Sequence, residues 1–231
     1  MTLRRFLFRL VVAAFALFTV YQLWLLGHVL WWVKFNPSST AFMEQRLAVM
    51  RDKDPEARLR HEWVPYENIS LSLKTAVVAA EDSAFMDHNG FDWEGLRVAF
   101  EKNLKKGRVV AGGSTISQQL AKNLFLSGSR TPWRKGQEAI IAVMLETCMS
   151  KRRILEIYLN MIEWGDGVFG AEAAAQHYYG RRAKNLRPAQ AARLAAMIPN
   201  PRYYDKRRST PALNRKTAIL QKRMYQVRVP R

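Results

Sequence analysis

Leu71-Ser72-Leu73-Lys74-Thr75-Ala76-Val77-Val78-Ala79-Ala80-Glu81-Asp82-Ser83-Ala84-Phe85 is the stretch on which the fold turns. Leu73, Ala76, Val77, Ala80, Ala84 and Phe85 recur at spacings of three and four, which is one face of an α-helix. Glu81 and Asp82 stand at the end of that apolar face, next to Phe85. A carboxylate in such a place is partly desolvated, and desolvation raises its pKa toward the working range of a general base. The plain alternative is a surface acidic pair near a helix end.

The same helical period continues outward. His88-Asn89-Gly90 ends the segment with a residue suited to positive φ. Asp92 can cap a helix through about Leu104, with Leu96, Ala99 and Phe100 expected inward. Ser114 opens another, with Ile116, Leu120, Leu124 and Phe125 apolar. Thr131-Pro132 is a start signal, a capping hydroxyl followed by proline at the first helical position, for a helix to about Met149. Ser150 can cap the next, with Ile154, Leu155, Tyr158 and Leu159 periodic and an end by Gly165. Gly170–Tyr179 is alanine-rich and stopped by Gly180, and Pro188–Met197 is a last short helix. Convincing alternating strands are absent. The expected fold is all-α, with short irregular pairings at most.

Leu10 to Val33 carries no Asp, Glu, Lys or Arg over 24 residues. At about 1.5 Å per residue this is roughly 36 Å of helix, enough to cross a hydrocarbon core of about 30 Å. Trp24, Trp31 and Trp32 suit a headgroup level, and Arg4, Arg5 and Arg9 place the N-terminal end in the cytoplasm by the positive-inside rule. The apolar run is longer than the core of a signal peptide and lacks a small-residue cleavage site. The expected layout is a cytoplasmic N-terminus over 1–9, a transmembrane helix over 10–33, a connector over 34–70, a catalytic domain over 71–205 and a basic tail over 206–231.

The 231 residues carry a formal charge of +18, and 48% hydrophobic content excludes a disordered basic chain. The single cysteine, Cys148, excludes an internal disulfide framework and a cysteine-based zinc cluster. Such a charge points to nucleic acid, anionic membrane or a phosphorylated substrate. Its distribution narrows the choice. Residues 1–34 hold Arg4, Arg5, Arg9 and Lys34 and no acid, the middle is nearly balanced, and residues 202–231 hold ten basic side chains against Asp205. The tail is expected to meet anionic headgroups or water.

Two further segments bear on chemistry. Gly112-Gly113-Ser114-Thr115 makes a cradle of backbone N–H groups suited to an anion, though no P-loop lysine follows. Lys122, Arg134 and Lys135 add positive charge nearby in sequence. Glu138 sits four residues after Arg134, where a simple i,i+4 ion pair is the alternative to a site role.

Together the segments form a pattern. Glu81-Asp82-Ser83-Ala84-Phe85-Met86-Asp87-His88-Asn89-Gly90-Phe91-Asp92 resembles the E-D-x-x-F-x-x-H-x-G-x-D signature of peptidoglycan glycosyltransferases. Gly113-Ser114-Thr115-Ile116-Ser117-Gln118-Gln119-Leu120-Ala121-Lys122-Asn123 is similar to that family's G-S-T-I-T-Q-Q-x-x-K-N, with Ser117 in place of threonine. Arg134-Lys135-Gly136-Gln137-Glu138 matches R-K-x-x-E, and the run from Ser150 to Asn160 matches S-K-x-x-I-L-x-x-Y-L-N. The resemblance covers roughly residues 71–205 and is closest to the monofunctional members. No Ser-x-x-Lys nucleophile motif of a transpeptidase occurs in the chain.

The resemblance implies a lysozyme-like domain that polymerises lipid II, with inversion at the donor MurNAc C1 and release of polyprenyl pyrophosphate. It implies Glu81 as general base, Asp82 in support, and Glu138 on the leaving-group side. Phe85, Ser114, Thr115, Gln118 and Gln119 would belong to the substrate cleft, and Lys122 and Arg134 would meet the pyrophosphate. For Lys135 and Asn160 a structural and a substrate-binding reading both stay open. No cofactor is obligatory; Mg²⁺ or Mn²⁺ held by Glu138 and substrate phosphates is compatible with the pattern. The implied partners are lipid II, the nascent glycan strand, membrane lipids and other cell-wall synthesis or division proteins, with no nucleic acid. The implied place is the inner membrane, with the catalytic domain periplasmic. The loop Gly107–Ala111 is expected to form a flap over the acceptor. The rival readings are a lysozyme-like hydrolase, for which Lys122 and Arg134 would be idle, and a membrane-tethered binding module for anionic surfaces or nucleic acid.

Overall fold

The computed structural model describes residues 3–108, 112–126, 128, 129 and 131–231. The chain divides into two units, Met1–Asn36 and Pro37–Arg231. The first is one helix, α1 (Leu3–Lys34), long and apolar enough to cross a membrane. The second is a helical body: α2 (Ala41–Arg51), α3 (Leu71–Glu81), α4 (Trp93–Lys106), α5 (Ile116–Phe125), α6 (Pro132–Cys148), α7 (Lys151–Met161), α8 (Ala171–Tyr179), α9 (Pro188–Met197), α10 (Pro201–Arg207) and α11 (Pro211–Arg223). Three short strands, β1 (Arg60–His61), β2 (Glu163–Gly165) and β3 (Val168–Phe169), pair in the order β1-β3-β2. The all-α lysozyme-like expectation holds.

Local chemistry explains the helix starts. Thr40, Ser70, Thr115, Thr131, Ser150 and Thr210 each accept the backbone N–H three residues on, and Asp92 does the same for α4. Each satisfies an N–H that has no partner inside its helix. Glycine closes α4 and α8, with Gly107 and Gly180 both left-handed.

Packing centres on α3. Leu73, Ala76, Val77 and Val78 are fully buried, and α3 packs against α9 and α11. The facing α9 is lined with Ala191, Ala192, Ala195 and Ala196, whose small side chains let the helices approach closely. Each fully buried Leu or Val contributes about 1.5–3 kcal/mol. A second layer joins α5 to α2, α6 and α7. Gly170 (φ 84°) lets β3 turn into α8: a Cβ there would lie 2.7 Å from the Asn160 carbonyl oxygen.

Four expectations change. The helix of the opening stretch stops at Glu81 instead of running on to Phe85. Asp82 leaves helical geometry at φ −162° and ψ 75°, because its carboxylate is drawn to His88 and to the start of α5. Phe100 faces outward and is 68% exposed. Trp93, Phe100 and Leu104 form one stripe of α4, and the body takes up the neighbouring one, with Ala99. Residues 34–70 are more than a connector: α2 packs on α5, β1 pairs with β3, and Arg46 forms ion pairs with Glu163 and Asp166. Residues 206–231 do not form a solvated tail, since α11 buries Leu213, Leu220 and Met224 on the face toward α3 and α9. The charge total hid that face, because its basic residues are interleaved with a helical apolar pattern. Of the expected flap, Val109, Val110 and Ala111 lie outside the described residues.

Candidate active site

Glu81 ends α3 and meets α5 side-on. Its Oε2 accepts a hydrogen bond from Gln119 Nε2 at 2.9 Å. Its Oε1 is buried, with no hydrogen-bond partner among the described residues. Burial pushes the Glu81 carboxyl above the usual glutamate range, the Gln119 amide, Lys216 and Lys122 pull it back, and Asp82 raises it again. The group is therefore a desolvated carboxylate with one committed oxygen and one open one.

Gln119 is oriented from behind. The Tyr158 hydroxyl donates to Gln119 Oε1 at 2.9 Å, which turns the amide nitrogen toward Glu81. Tyr158 is fully buried, and burial raises its phenol well above the usual range, so it stays a donor. Asp82 differs from its neighbour in having both oxygens used: Oδ1 bonds His88 Nε2 at 2.9 Å and Oδ2 accepts the Ile116 N–H at 2.9 Å. The Gly90 N–H donates to His88 Nδ1, so the imidazole proton sits on Nε2, facing Asp82. Asp82 thus fixes the α3 end to the α5 start, and it borders the same cavity as Glu81.

Two cavities flank the Glu81–Gln119 bond. One, of about 260 Å³, is lined by Gln119, Lys122, Tyr158, Glu163, Asn200 and Arg202 among others. The other, of about 300 Å³, contains Glu81, Lys102, Gly113, Ser114, Thr115 and Arg223. Gly113 has no room for a side chain: a Cβ would lie 2.6 Å from Leu96 Cδ2.

Cations gather beyond Lys122. Lys122 lines the first cavity, and its ammonium makes no hydrogen bond or ion pair among the described residues. Burial lowers its pKa, Glu138 raises it, and Arg134 and Lys135 lower it further. Arg134 Nη1 bonds Glu138 Oε2 at 2.6 Å and Lys135 Nζ bonds Glu138 Oε1. Glu138 is 3% exposed, so it is a buried anion held by two cations. That arrangement does not fit the expected Mg²⁺ or Mn²⁺ role, because a divalent ion on Glu138 would sit against both positive charges.

Several expected cleft residues turn out to hold the fold. Phe85 is fully buried, with Lys151 Nζ 4.5 Å above its ring, and reaches neither cavity. Asn160 is also fully buried. Its Nδ2 donates to the Val64 and Glu156 carbonyls and its Oδ1 accepts the Val64 N–H, so it clamps the segment before α3 onto α7. Gln118 closes a capping box with Thr115: Thr115 N–H donates to Gln118 Oε1 and Gln118 N–H to Thr115 Oγ1. Thr115 Oγ1 also donates to the Gly90 carbonyl at 2.7 Å. The structure brings Glu81, Asp82, Ser114, Thr115, Gln119 and Lys122 to the cavities, sets Arg134, Lys135 and Glu138 behind Lys122, and leaves Phe85, Gln118 and Asn160 in the framework.

Sequence reasoning missed Tyr158, Lys216 and Arg223. Tyr158 lies in the fourth motif, and its helical period marks it only as a core position. Lys216 stands three residues after Leu213 and four before Leu220, a spacing that marks the inner face of a helix.

This is an all-helical enzyme body with a desolvated acid between two cavities. Residues 47–225 match the transglycosylase family model, through α11. The chain is 60% identical over 226 residues to the biosynthetic peptidoglycan transglycosylase of Chromobacterium violaceum, covering 98% of this chain and 99% of that protein. Identity to the biosynthetic peptidoglycan transglycosylase of Dechloromonas aromatica is 61% over 228 residues, with 99% of each chain covered. The protein of that name from Nitrosospira multiformis is 57% identical over 230 residues and matches over 100% of both. The chain belongs to the transglycosylase family and is a peptidoglycan glycosyltransferase.

Proposed function

We propose that the body polymerises lipid II into a β-1,4-linked glycan strand, inverting MurNAc C1 and releasing polyprenyl pyrophosphate, with no transpeptidase activity. The observation that carries this reading is the open, buried Oε1 of Glu81, a residue that lines one cavity and bonds Gln119 of the other, where the partly buried cation Lys122 also lies. Glu81 takes the proton from the acceptor 4-hydroxyl as that oxygen attacks the donor C1. The acceptor occupies the cavity that contains Glu81, Ser114 and Thr115. The donor lies in the cavity of Gln119 and Lys122.

As the C1–O bond breaks, negative charge grows on the pyrophosphate. Lys122 meets it directly. Arg134 and Lys135, held by Glu138, add to the positive potential from behind. Preorganised charge in a shielded site lowers such a barrier more than the same charge in water. Gln119, fixed by Tyr158, keeps the Glu81 carboxylate aimed. No step passes through a metal ion.

The apolar α1 serves as a single-pass anchor in the inner membrane, with Arg4, Arg5 and Arg9 cytoplasmic and the body periplasmic. Tethering keeps the enzyme in the plane where a lipid-linked substrate lies. The test is incubation of the purified full chain with lipid II and, separately, with finished glycan. Polymer and released polyprenyl pyrophosphate are expected from the first and nothing from the second. Sugars released from finished glycan, with no polymer made from lipid II, would favour a hydrolase.

A further inference from the structure

The C-terminal helix carries a charge for which the mechanism above has no use. Lys216 lies between Leu213 and Leu220, both buried, on the face of α11 that packs against α3 and α9. Its stem therefore enters the interface whose α3 partner ends in Glu81. Lys216 is partly buried: burial lowers its pKa, and the charge of Glu81 raises it back toward the ammonium form. No direct ion pair joins the two, so they interact through space. Seven residues on, Arg223 reaches the cavity that contains Glu81.

Glu81 has other charged neighbours: Lys102 and Arg223 share its cavity, and Lys122 pulls its pKa down as Lys216 does. Asp82 is anionic and adjacent. From α5 come the neutral Gln119 and the cation Lys122, which faces the other cavity; from α7 comes the neutral Tyr158. From α4 come Lys102 and the cap Asp92, both in the Glu81 cavity. The one charged residue of α9, Arg193, is held by Asn214 and the Arg208 carbonyl.

We propose that Lys216 is a positioning residue for the reaction: its ammonium, delivered by α11, keeps the Glu81 carboxylate ionised and ready to accept a proton. This rests on the reading of Glu81 as the base. Burial drives Glu81 toward the protonated form, and a nearby cation opposes that drive. It also gives α11 a part in catalysis beyond packing.

The test is kcat/KM against pH, with the full chain and lipid II, for wild type, Lys216→Met, Lys216→Gln and Lys216→Arg, with Glu81→Gln beside them. In the two neutral variants the acidic limb should move up by about one pH unit, and the activity lost on the limb should return as pH rises. Lys216→Arg, which keeps the charge, should hold the limb at its wild-type position. A limb that stays in place in either neutral variant overturns the proposal. So does loss of cooperative melting in both, which would make Lys216 a packing residue. Full activity in Glu81→Gln would bring down the base assignment itself; an inactive Glu81→Gln with unmoved limbs would bring down only the role of Lys216.

Discussion

Glu138, buried within α6, and Glu81, half-buried at the end of α3 with its Oε1 sealed from water, are both shielded carboxylates, yet their surroundings are opposite. Glu138 gives one oxygen to Arg134 and the other to Lys135. Glu81 gives one oxygen to a neutral amide and leaves the other without a partner. A buried carboxylate with an ion pair on each oxygen is committed to holding those cations. A buried anion with a vacant lone pair is costly for the fold, and that cost suits a group that must take up a proton. On the proposed mechanism, this contrast suits Glu81 to chemistry and Glu138 to holding the cations in place.

Substitutions can break this distinction. Glu81→Gln keeps the volume and removes the base, and kcat should fall by about 10²–10⁴-fold, read as lipid II polymerised per unit time. Glu138→Gln frees Arg134 and Lys135 to move. It should cost about 10–100-fold in kcat and leave the position of the acidic limb unchanged, since Glu81 is untouched. If Glu138→Gln proved the more damaging of the two, the assignment would have to be reversed. Tyr158→Phe removes the bond that orients Gln119, and about a tenfold loss in kcat is expected with little change in melting temperature. Asn160→Ala lies at the far end of the scale for activity. It strips three hydrogen bonds from the framework, so about 2 kcal/mol of stability should be lost in denaturant titration, with kcat of the folded enzyme near wild type.

The caps and periods that define α4–α9 were legible because they depend on local chemistry. Thr131-Pro132 and Pro188–Met197 fall where the spacing placed them. Glu81 and Lys122, which the motifs single out as units, do line the two cavities. Phe85 was misplaced and Asn160 left open between two readings for a common reason: a motif records which residues recur together, not whether a side chain faces the cleft or the framework behind it. The C-terminal helix was obscured by its own charge. Counting Arg215, Lys216, Lys222 and Arg223 suggested a solvated tail, while the spacing of Leu213, Leu220 and Met224 already described a buried face. Reading the apolar period before the charge would have found α11, and with it the cation beside Glu81.

The central claim is that Glu81 is the proton acceptor and that burial sets its proton affinity. The direct measurement is the pH dependence of kcat/KM for the wild-type enzyme on lipid II. A base with a raised pKa is protonated, and therefore disabled, as pH falls through that value. The account predicts an acidic limb lying above the ordinary glutamate value of 4.5 and absent from the residual activity of Glu81→Gln. A limb at or below 4.5, or one that persists unchanged in Glu81→Gln, would contradict it.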